Sequence, residues 1–380
     1  MNRFRNLLRW FLVFVFVFLA FHYLTWKIFT EKILSGRNYG DLARIAYRPD
    51  LKKIRHDHVD LPSRHIHIGN NVNDRVDVLT IGDSFSSGCG SGRNNFYQDY
   101  IATIHGKKVA NVSLLGVEPI NLSDPVQILL LFINSGVIDD IRPRVVILET
   151  SERLVYQRLA GRLDTGISLP REKIQNYCMD AAAVKSFNLP NLFFVNDGNL
   201  KFYYYTAKRW FETENPSIRL QEKLAGGYFI RDPAKRLTSE IVGQLPLSKP
   251  MFSGINGDTL LFTIDELLEL PDNQRDTAVV VNANLNYIAQ ILESKNIRLY
   301  FMMIPDKINL YADFLRENPF KRSEIFELLE TMDKKYTFVN TKKILINELE
   351  HGDPVDLFHA DDTHWTWRAS ELVVKSMKFE

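Results

Sequence analysis

Residues 75–87 read Arg-Val-Asp-Val-Leu-Thr-Ile-Gly-Asp-Ser-Phe-Ser-Ser. The β-branched stretch 75–81 reads as a short buried strand, and it runs directly into Gly82-Asp83-Ser84. In open α/β sheets, ligands bind beyond the carboxyl ends of the strands. A serine placed there can turn both its hydroxyl and its amide into a site, and Gly82 permits a tight turn ahead of it. Three residues are a short motif, so their weight depends on what surrounds them.

Moving outward, residues 107–115 (KKVANVSLL), 144–148 (RVVIL), 297–304 (IRLYFMMI) and 336–340 read as further strands. Residues 124–135, 277–292, 323–332 and 369–377 carry helical patterns. Strands alternating with helices predict a parallel sheet with crossover helices. From Gln157 to about Asn273 the rhythm breaks. This stretch holds Phe193, Phe194, Phe202, Tyr203, Tyr204, Tyr205, Trp210 and Phe211. It reads as an insertion, whose aromatics either form core or stack on sugar rings.

The chain has 380 residues, with 47 basic and 46 acidic side chains and a net charge of +1. That balance supplies no basic stripe to displace counterions, so nucleic-acid binding is not expected. With 45% hydrophobic and 24% charged residues, the composition is globular. The two cysteines, Cys89 and Cys178, exclude a disulfide scaffold and a four-cysteine zinc site, while leaving one disulfide open. Cys89 lies five residues past Ser84 with no local base, so a catalytic thiol is not expected. Four of the nine histidines are His56, His58, His65 and His67. His65 and His67 would share one strand face, but no cysteine or carboxylate pattern accompanies them. The expectation is a solvated histidine patch, with no metal and no cofactor.

At the N-terminus, Arg3, Arg5 and Arg9 precede an apolar run from Trp10 to Trp26. As a helix this run spans roughly 25 Å, near the lower limit for a hydrocarbon core. Trp10, Tyr23 and Trp26 sit where aromatic belts form. The positive-inside rule puts the N-terminus in the cytoplasm and the rest of the chain outside. A cleaved signal peptide would want small residues, where Phe21, His22, Tyr23 and Leu24 stand. The reading is therefore a single-pass anchor.

Near the other end lies Asp361-Asp362-Thr363-His364-Trp365. An aspartate just before a histidine can bond the ring nitrogen, fix its tautomer and stabilise an imidazolium. This motif follows the last strand of the sheet that Ser84 follows the first strand of, which makes the pair a candidate catalytic site.

Gly82-Asp83-Ser84-Phe85-Ser86 with a late Asp-x-His or Asp-x-x-His resembles the SGNH (GDSL-like) hydrolase superfamily. More narrowly, the chain is similar to the alginate O-acetyltransferase family of periplasmic SGNH-like proteins. The similarity rests on Gly82 to Ser86, Ile304-Pro305-Asp306-Lys307 with Tyr311, Asp362-Thr363-His364-Trp365-Thr366, and residues 146–153 (VILETSER). It covers residues 76–153 and 279–374.

The resemblance implies a three-layer α/β/α sandwich with a short parallel sheet. It implies Ser84 as nucleophile, His364 as general base, and Asp362 or Asp361 as the orienting acid. Asp362 fits the Asp-Thr-His form and Asp361 the wider Asp-x-x-His form. The Ser84 and Gly116 amides would be oxyanion donors, with Arg153 a candidate third whose other reading is a structural ion pair. Lys307, Asp306 and Trp365 would contact substrate; a salt-bridged loop is the other reading of Lys307 and Asp306.

Two departures stand out. Thr150-Ser151-Glu152-Arg153 replaces the superfamily's Gly-x-Asn-Asp block. The serine also precedes the Asp-His motif, as in ordinary SGNH hydrolases and the D-alanine transfer protein of the teichoic acid pathway, and unlike the alginate enzymes.

The expected organisation is an anchor over 1–30, a membrane-proximal linker over 31–74, domain halves over 75–156 and 276–380, and an insertion over 157–275. The expected activity is O-acyl transfer, most simply acetyl, to an extracytoplasmic polysaccharide. The domain would sit in the periplasm on the inner membrane, and a multi-pass membrane acyltransferase would supply the acyl group. An esterase or deacetylase with the same triad, and a catalytically silent polysaccharide-binding or assembly protein, are the competing expectations.

Overall fold

The computed structural model describes residues 2–25, 40–45, 60–68, 75–90, 94–112, 124–186, 242–253, 257–268 and 270–379. An apolar helix, α1 (Asn2–Thr25), opens the chain. Its window Arg3–Phe21 has a mean hydropathy of 1.8, and none of it is buried against the rest of the protein. Phe14, Phe16 and Phe18 all face outward. The helix is long and apolar enough to cross a membrane, which is consistent with a single-pass anchor.

Six strands form a parallel sheet: β1 (Ile66–His67), β2 (Val78–Ile81), β3 (Val109–Val112), β4 (Val145–Ser151), β7 (Arg298–Ile304) and β8 (Thr337–Asn340). Their order is β1-β3-β2-β4-β7-β8. The remaining two strands, β5 (Val242–Pro246) and β6 (Thr259–Thr263), pair antiparallel beside it. From β2 the chain moves outward to β3, then crosses back to β4 on the other side. The winding direction therefore reverses between β2 and β4, the place where open α/β sheets form their crevice.

Alternate strand residues feed two cores. Leu79, Ile81, Val146, Leu148, Phe301 and Met303 point to one face. There they meet helices α3 (Pro125–Asn134), α4 (Glu152–Leu159), α5 (Gln274–Glu293) and α6 (Ile325–Thr331). Val78, Val145, Ile147, Tyr300, Met302 and Ile304 point to the other face. They pack on α2 (Tyr97–His105), α7 (Thr341–His351) and α8 (Trp367–Ser376). Strands covered on both faces read as unbroken apolar runs, which is why RVVIL and IRLYFMMI were legible. Burial of each large apolar side chain contributes roughly 2 kcal/mol.

Local chemistry sets the helix starts. Asp124 accepts from the Val126 amide at 2.9 Å ahead of Pro125. The Asn273 side chain accepts from Asp276 N, and Thr366 Oγ1 from Arg368 N.

Three expectations shift. Part of the stretch read as a linker belongs to the domain: Ile66 and His67 pair with Ala110 and Asn111 as an edge strand. Helices α2, α4 and α7 were not read. Of the insertion, β5 and β6 place Leu245, Leu260 and Phe262 in the second core, so that portion is built into the body. The aromatic cluster from Phe193 to Phe211 lies outside the described residues, as do His56 and His58. The two cysteines are not joined in a disulfide; Cys89 is exposed and Cys178 buried.

Candidate active site

β2, β4 and β7 end side by side, and the next residues of each converge. Ser84 follows β2, Glu152 and Arg153 follow β4, and Asp306 and Lys307 follow β7. The loop 359–364 reaches the same edge from the C-terminal part of the chain.

The turn carrying Ser84 is fixed from beneath by a strand carboxyl. Glu149, the fifth residue of β4, is fully buried. Its Oε2 accepts from Asp83 N at 3.0 Å, Ser86 N at 3.1 Å and Ser86 Oγ at 2.8 Å. Asp83 Oδ2 accepts from Ser151 N at 2.9 Å and from the Arg158 guanidinium at 2.9 Å. The two carboxyls are shifted in opposite directions. Burial is the largest influence on Asp83, but Arg158 and the hydrogen bonds outweigh it and hold the group at about 2. Burial and the neighbouring Asp83 charge push Glu149 well above the usual carboxyl range, which favours its protonated form.

Gly82 was expected to serve a tight turn. Its backbone is not in the left-handed region; what it supplies is space. A Cβ there would overlap Ser86 Oγ and Glu149 Oε2.

The Ser84 hydroxyl lies 2.8 Å from His364 Nε2. His364 Nδ1 lies 2.6 Å from Asp362 Oδ1. A carboxylate only accepts, so Nδ1 carries the proton and Nε2 is left to accept from Ser84. The same Asp362 Oδ1 accepts from His364 N at 3.1 Å. Burial disfavours the imidazolium, but Asp362 and then Asp41 more than compensate, and the pKa of His364 lies above 6.5.

The choice between the two aspartates is thereby made by geometry. Asp362 bonds the imidazole, while Asp361 Oδ2 accepts from the Gly40 amide at 2.7 Å. Among the described residues the Ser84 amide enters no hydrogen bond, as the expected oxyanion donor would require. Gly116 lies outside the described residues.

The other expected contacts turn inward. Lys307, read as substrate-positioning, is 1% exposed. Its ammonium donates to the carbonyls of His359 at 2.8 Å, Asp362 at 3.1 Å and Ala360 at 3.5 Å, and so threads the loop that carries His364. Burial lowers its pKa to about 8 against the pull of Glu266, Asp41, Asp362 and Asp361. Asp306 is buried and accepts from Arg153 at 2.8 Å; its amide donates to Glu152 Oε2. Trp365 is 4% exposed and packs edge-on against Phe85, with centroids 5.4 Å apart. It is core, not a ligand-facing ring.

Arg153 comes to the rim of the site with one guanidinium nitrogen spent on Asp306. Burial opposes its charge, but Asp306, Glu266 and Asp83 keep it fully charged. That charge also acts against the imidazolium of His364. His65 Nδ1 lies 2.6 Å from Asp99 Oδ1, and its ring meets that of His67 at 4.7 Å; the pair is packed, not solvated.

Sequence reasoning missed Asp41, Glu149 and Arg158. Glu149 had a readable signal: an acid directly after the apolar run 145–148 within a buried strand. Asp41 had none. Its Oδ2 lies 3.7 Å from His364 Nδ1. Donor atoms of Asp41, Asp362 and His364 fall within 4.8 Å of one another. Hydrogen bonds account for that proximity, since Asp41 accepts from Thr363 and Asp362 from His364.

No protein-family model matches the chain, and comparison with curated proteins and with solved structures returns no match.

Proposed function

We propose that the protein is a membrane-anchored serine O-acyltransferase of SGNH type, working on the extracytoplasmic side of the inner membrane. The observation that carries this reading is the unbroken hydrogen-bonded row Ser84–His364–Asp362, with spacings of 2.8 and 2.6 Å. A nucleophile, a base and an orienting acid at those distances form the triad of acyl transfer. A silent binding protein has no need of it.

In the first half-reaction His364 Nε2 takes the Ser84 proton as Oγ bonds to the acyl carbonyl carbon. The carbonyl electron pair moves to oxygen, and the Ser84 amide stabilises the oxyanion; such a donor is usually worth about 10²–10³ in rate. Collapse breaks the bond to the leaving group, which takes the proton from His364. An acyl-Ser84 ester results. A polysaccharide hydroxyl then gives its proton to His364, attacks the ester, and releases Ser84. Water in place of the sugar makes the same site an esterase. With α1 as an anchor, the domain would lie within reach of a multi-pass membrane acyltransferase as acyl donor, and a periplasmic polysaccharide would be the acceptor.

The test is acyl capture. The full chain in detergent, incubated with an activated acetyl ester, gains one acetyl mass on the peptide containing Ser84; Ser84→Ala and His364→Ala do not. If none of several ester and thioester donors leaves a label, and a fluorophosphonate leaves Ser84 unmodified as well, the acyltransferase reading falls.

A further inference from the structure

Beyond the triad, a stretch with the sequence character of a linker takes part in the site. Residues 40–45, with the helical turn Asp41–Ile45, are the first described beyond α1. They lie against the loop that carries His364. The Gly40 amide donates to Asp361 Oδ2 at 2.7 Å, the Asp41 amide to Asp362 Oδ2 at 3.2 Å, and the Ala43 amide to the Asp361 carbonyl at 3.1 Å. In return Asp41 accepts from Thr363 N at 2.7 Å and from the Thr363 hydroxyl. Leu42 and Ala43 are fully buried. The fit leaves no slack: a Cβ on Gly40 would overlap the Asp361 carbonyl oxygen and meet Asp362 Cβ at 2.7 Å.

The pattern of acceptors gives this docking a chemical meaning. Asp362 has two oxygens. Oδ1 serves His364, and Oδ2 is held by the Asp41 amide. The carboxylate can therefore keep one fixed rotation, with Oδ1 aimed at Nδ1. The Asp41 carboxyl, anchored on Thr363, stands 3.7 Å from the same nitrogen. The imidazole thus has two acids on its Nδ1 side, only one of them from its own loop.

We propose that residues 40–45 are a working part of the active site, with Asp41 a positioning residue that sets the orientation of Asp362 and the basicity of His364. The inference rests on the acyltransferase reading for its consequence but not for its geometry. The chain between Thr25 and Gly40 spans at most ~55 Å even when fully extended. The segment that completes the base is thus tied closely to the membrane helix. A domain cut free after residue 45 would lose part of its catalytic wall as well as its anchor.

The charged and titratable groups acting on His364 are Asp362 and Asp41, which favour its protonation, and Arg153, which disfavours it; Ser84 accepts or donates at Nε2. Asp41 is itself raised, by burial first and then by Asp362. Removing it takes a neighbouring acid from the imidazole, so the histidine loses its proton at lower pH.

The experiment uses the full chain in detergent, with two readouts. The first is the rate of Ser84 modification by a fluorophosphonate as a function of pH. The second is the titration of His364 by NMR of ¹³C-histidine-labelled protein, assigned with His364→Gln. In Asp41→Ala the plateau rate should fall on the order of tenfold, far less than the ~10⁴ expected for loss of the orienting acid itself. Both the acid limb and the His364 titration should move to lower pH. Asp41→Asn keeps an acceptor for Thr363 while removing the charge; it should move the titration with a smaller rate loss, and it serves if the alanine variant does not fold. Asp41→Glu should restore the wild-type limb.

A merely structural role would lower the melting temperature and leave the titration unmoved, and that result would overturn the proposal. If wild-type Ser84 does not react at all, the acyltransferase reading fails while the His364 titration still decides the role of Asp41.

Discussion

The two halves of the site are built in different ways. The Ser84 turn is held from inside the sheet, by Glu149 and Ser151 on the adjacent strand and by Arg158 one helix further on. β2 and β4 are paired in register, Ile81 against Leu148, so the turn and its support arrive together. The His364 loop has no such floor. It is threaded by Lys307 and walled by Gly40 and Asp41, partners separated from it by 55 and 321 residues. Ser84 is positioned by the sheet itself; His364 is positioned by whatever reaches it. It should therefore be possible to loosen the base while leaving the nucleophile in place.

The largest break is at Asp362. Asp362→Asn should lower kcat by about 10⁴ while leaving the fold intact, because the amide can donate to Nδ1 and select the wrong tautomer. Asp361→Asn should cost far less, since an amide oxygen can still accept from Gly40. Steady-state kinetics on an activated ester separates the two. Equal losses would mean that the chain uses both acids on the imidazole.

Next in size is Lys307→Met, which keeps the stem and removes the ammonium. Three loop carbonyls lose their donor, at a cost of about 3 kcal/mol in stability. Chemical denaturation reads the stability, and the loss of kcat should exceed any change in KM. Gly40→Ala belongs beside it, since it displaces the wall without touching a titrating group.

The pH dependence sharpens the contrast further. His364 sits above its unfolded value of 6.5, so its charge stabilises the fold fully below pH 6.5, and that contribution is lost as pH rises through the folded value. Activity runs the opposite way, because only the neutral ring accepts the Ser84 proton. The acid limb of kcat/KM should therefore have its midpoint above pH 6.5. Under the turn the sign reverses. Asp83 is depressed from 3.8 to about 2, so its contribution is present above 3.8 and lost as pH falls through about 2.

The smallest effect is expected at Glu149→Gln. A neutral carboxyl and an amide are near matches, so the change should stay within ~1 kcal/mol. Glu149→Ala strips the acceptor from Asp83 N and Ser86 N and should cost about 3 kcal/mol. If Gln costs as much as Ala in thermal denaturation, Glu149 is ionised in the fold.

What could be read in the sequence follows the same division. Strand runs such as RVVIL, the serine at a strand end and the Asp-Thr-His spacing are local patterns, and each is found where those patterns place it. Lys307 was also legible as a residue at the site's edge. Its direction was not, because it depends on how the carbonyls of residues 359–362 curl, and that depends on the strand-like bridge between Phe358 and Trp365. Trp365 was expected to contact substrate because it adjoins His364; only packing on Phe85 and Tyr97 distinguishes core from contact. Asp41 sits in Gly-Asp-Leu-Ala-Arg, a stretch with no motif, whose meaning is created wholly by a neighbour 322 residues away.

That separation also governs timing. Asp41 emerges from the ribosome early and Thr363 late, so the contact between them is among the last that a growing chain can make. Until then Ser84 has neither its base nor the wall behind that base. A nascent or interrupted polypeptide would lack the arrangement on which the proposed reactivity depends. It would complete that arrangement only on joining residues 322 positions apart, a step that this sequence distance should make slow.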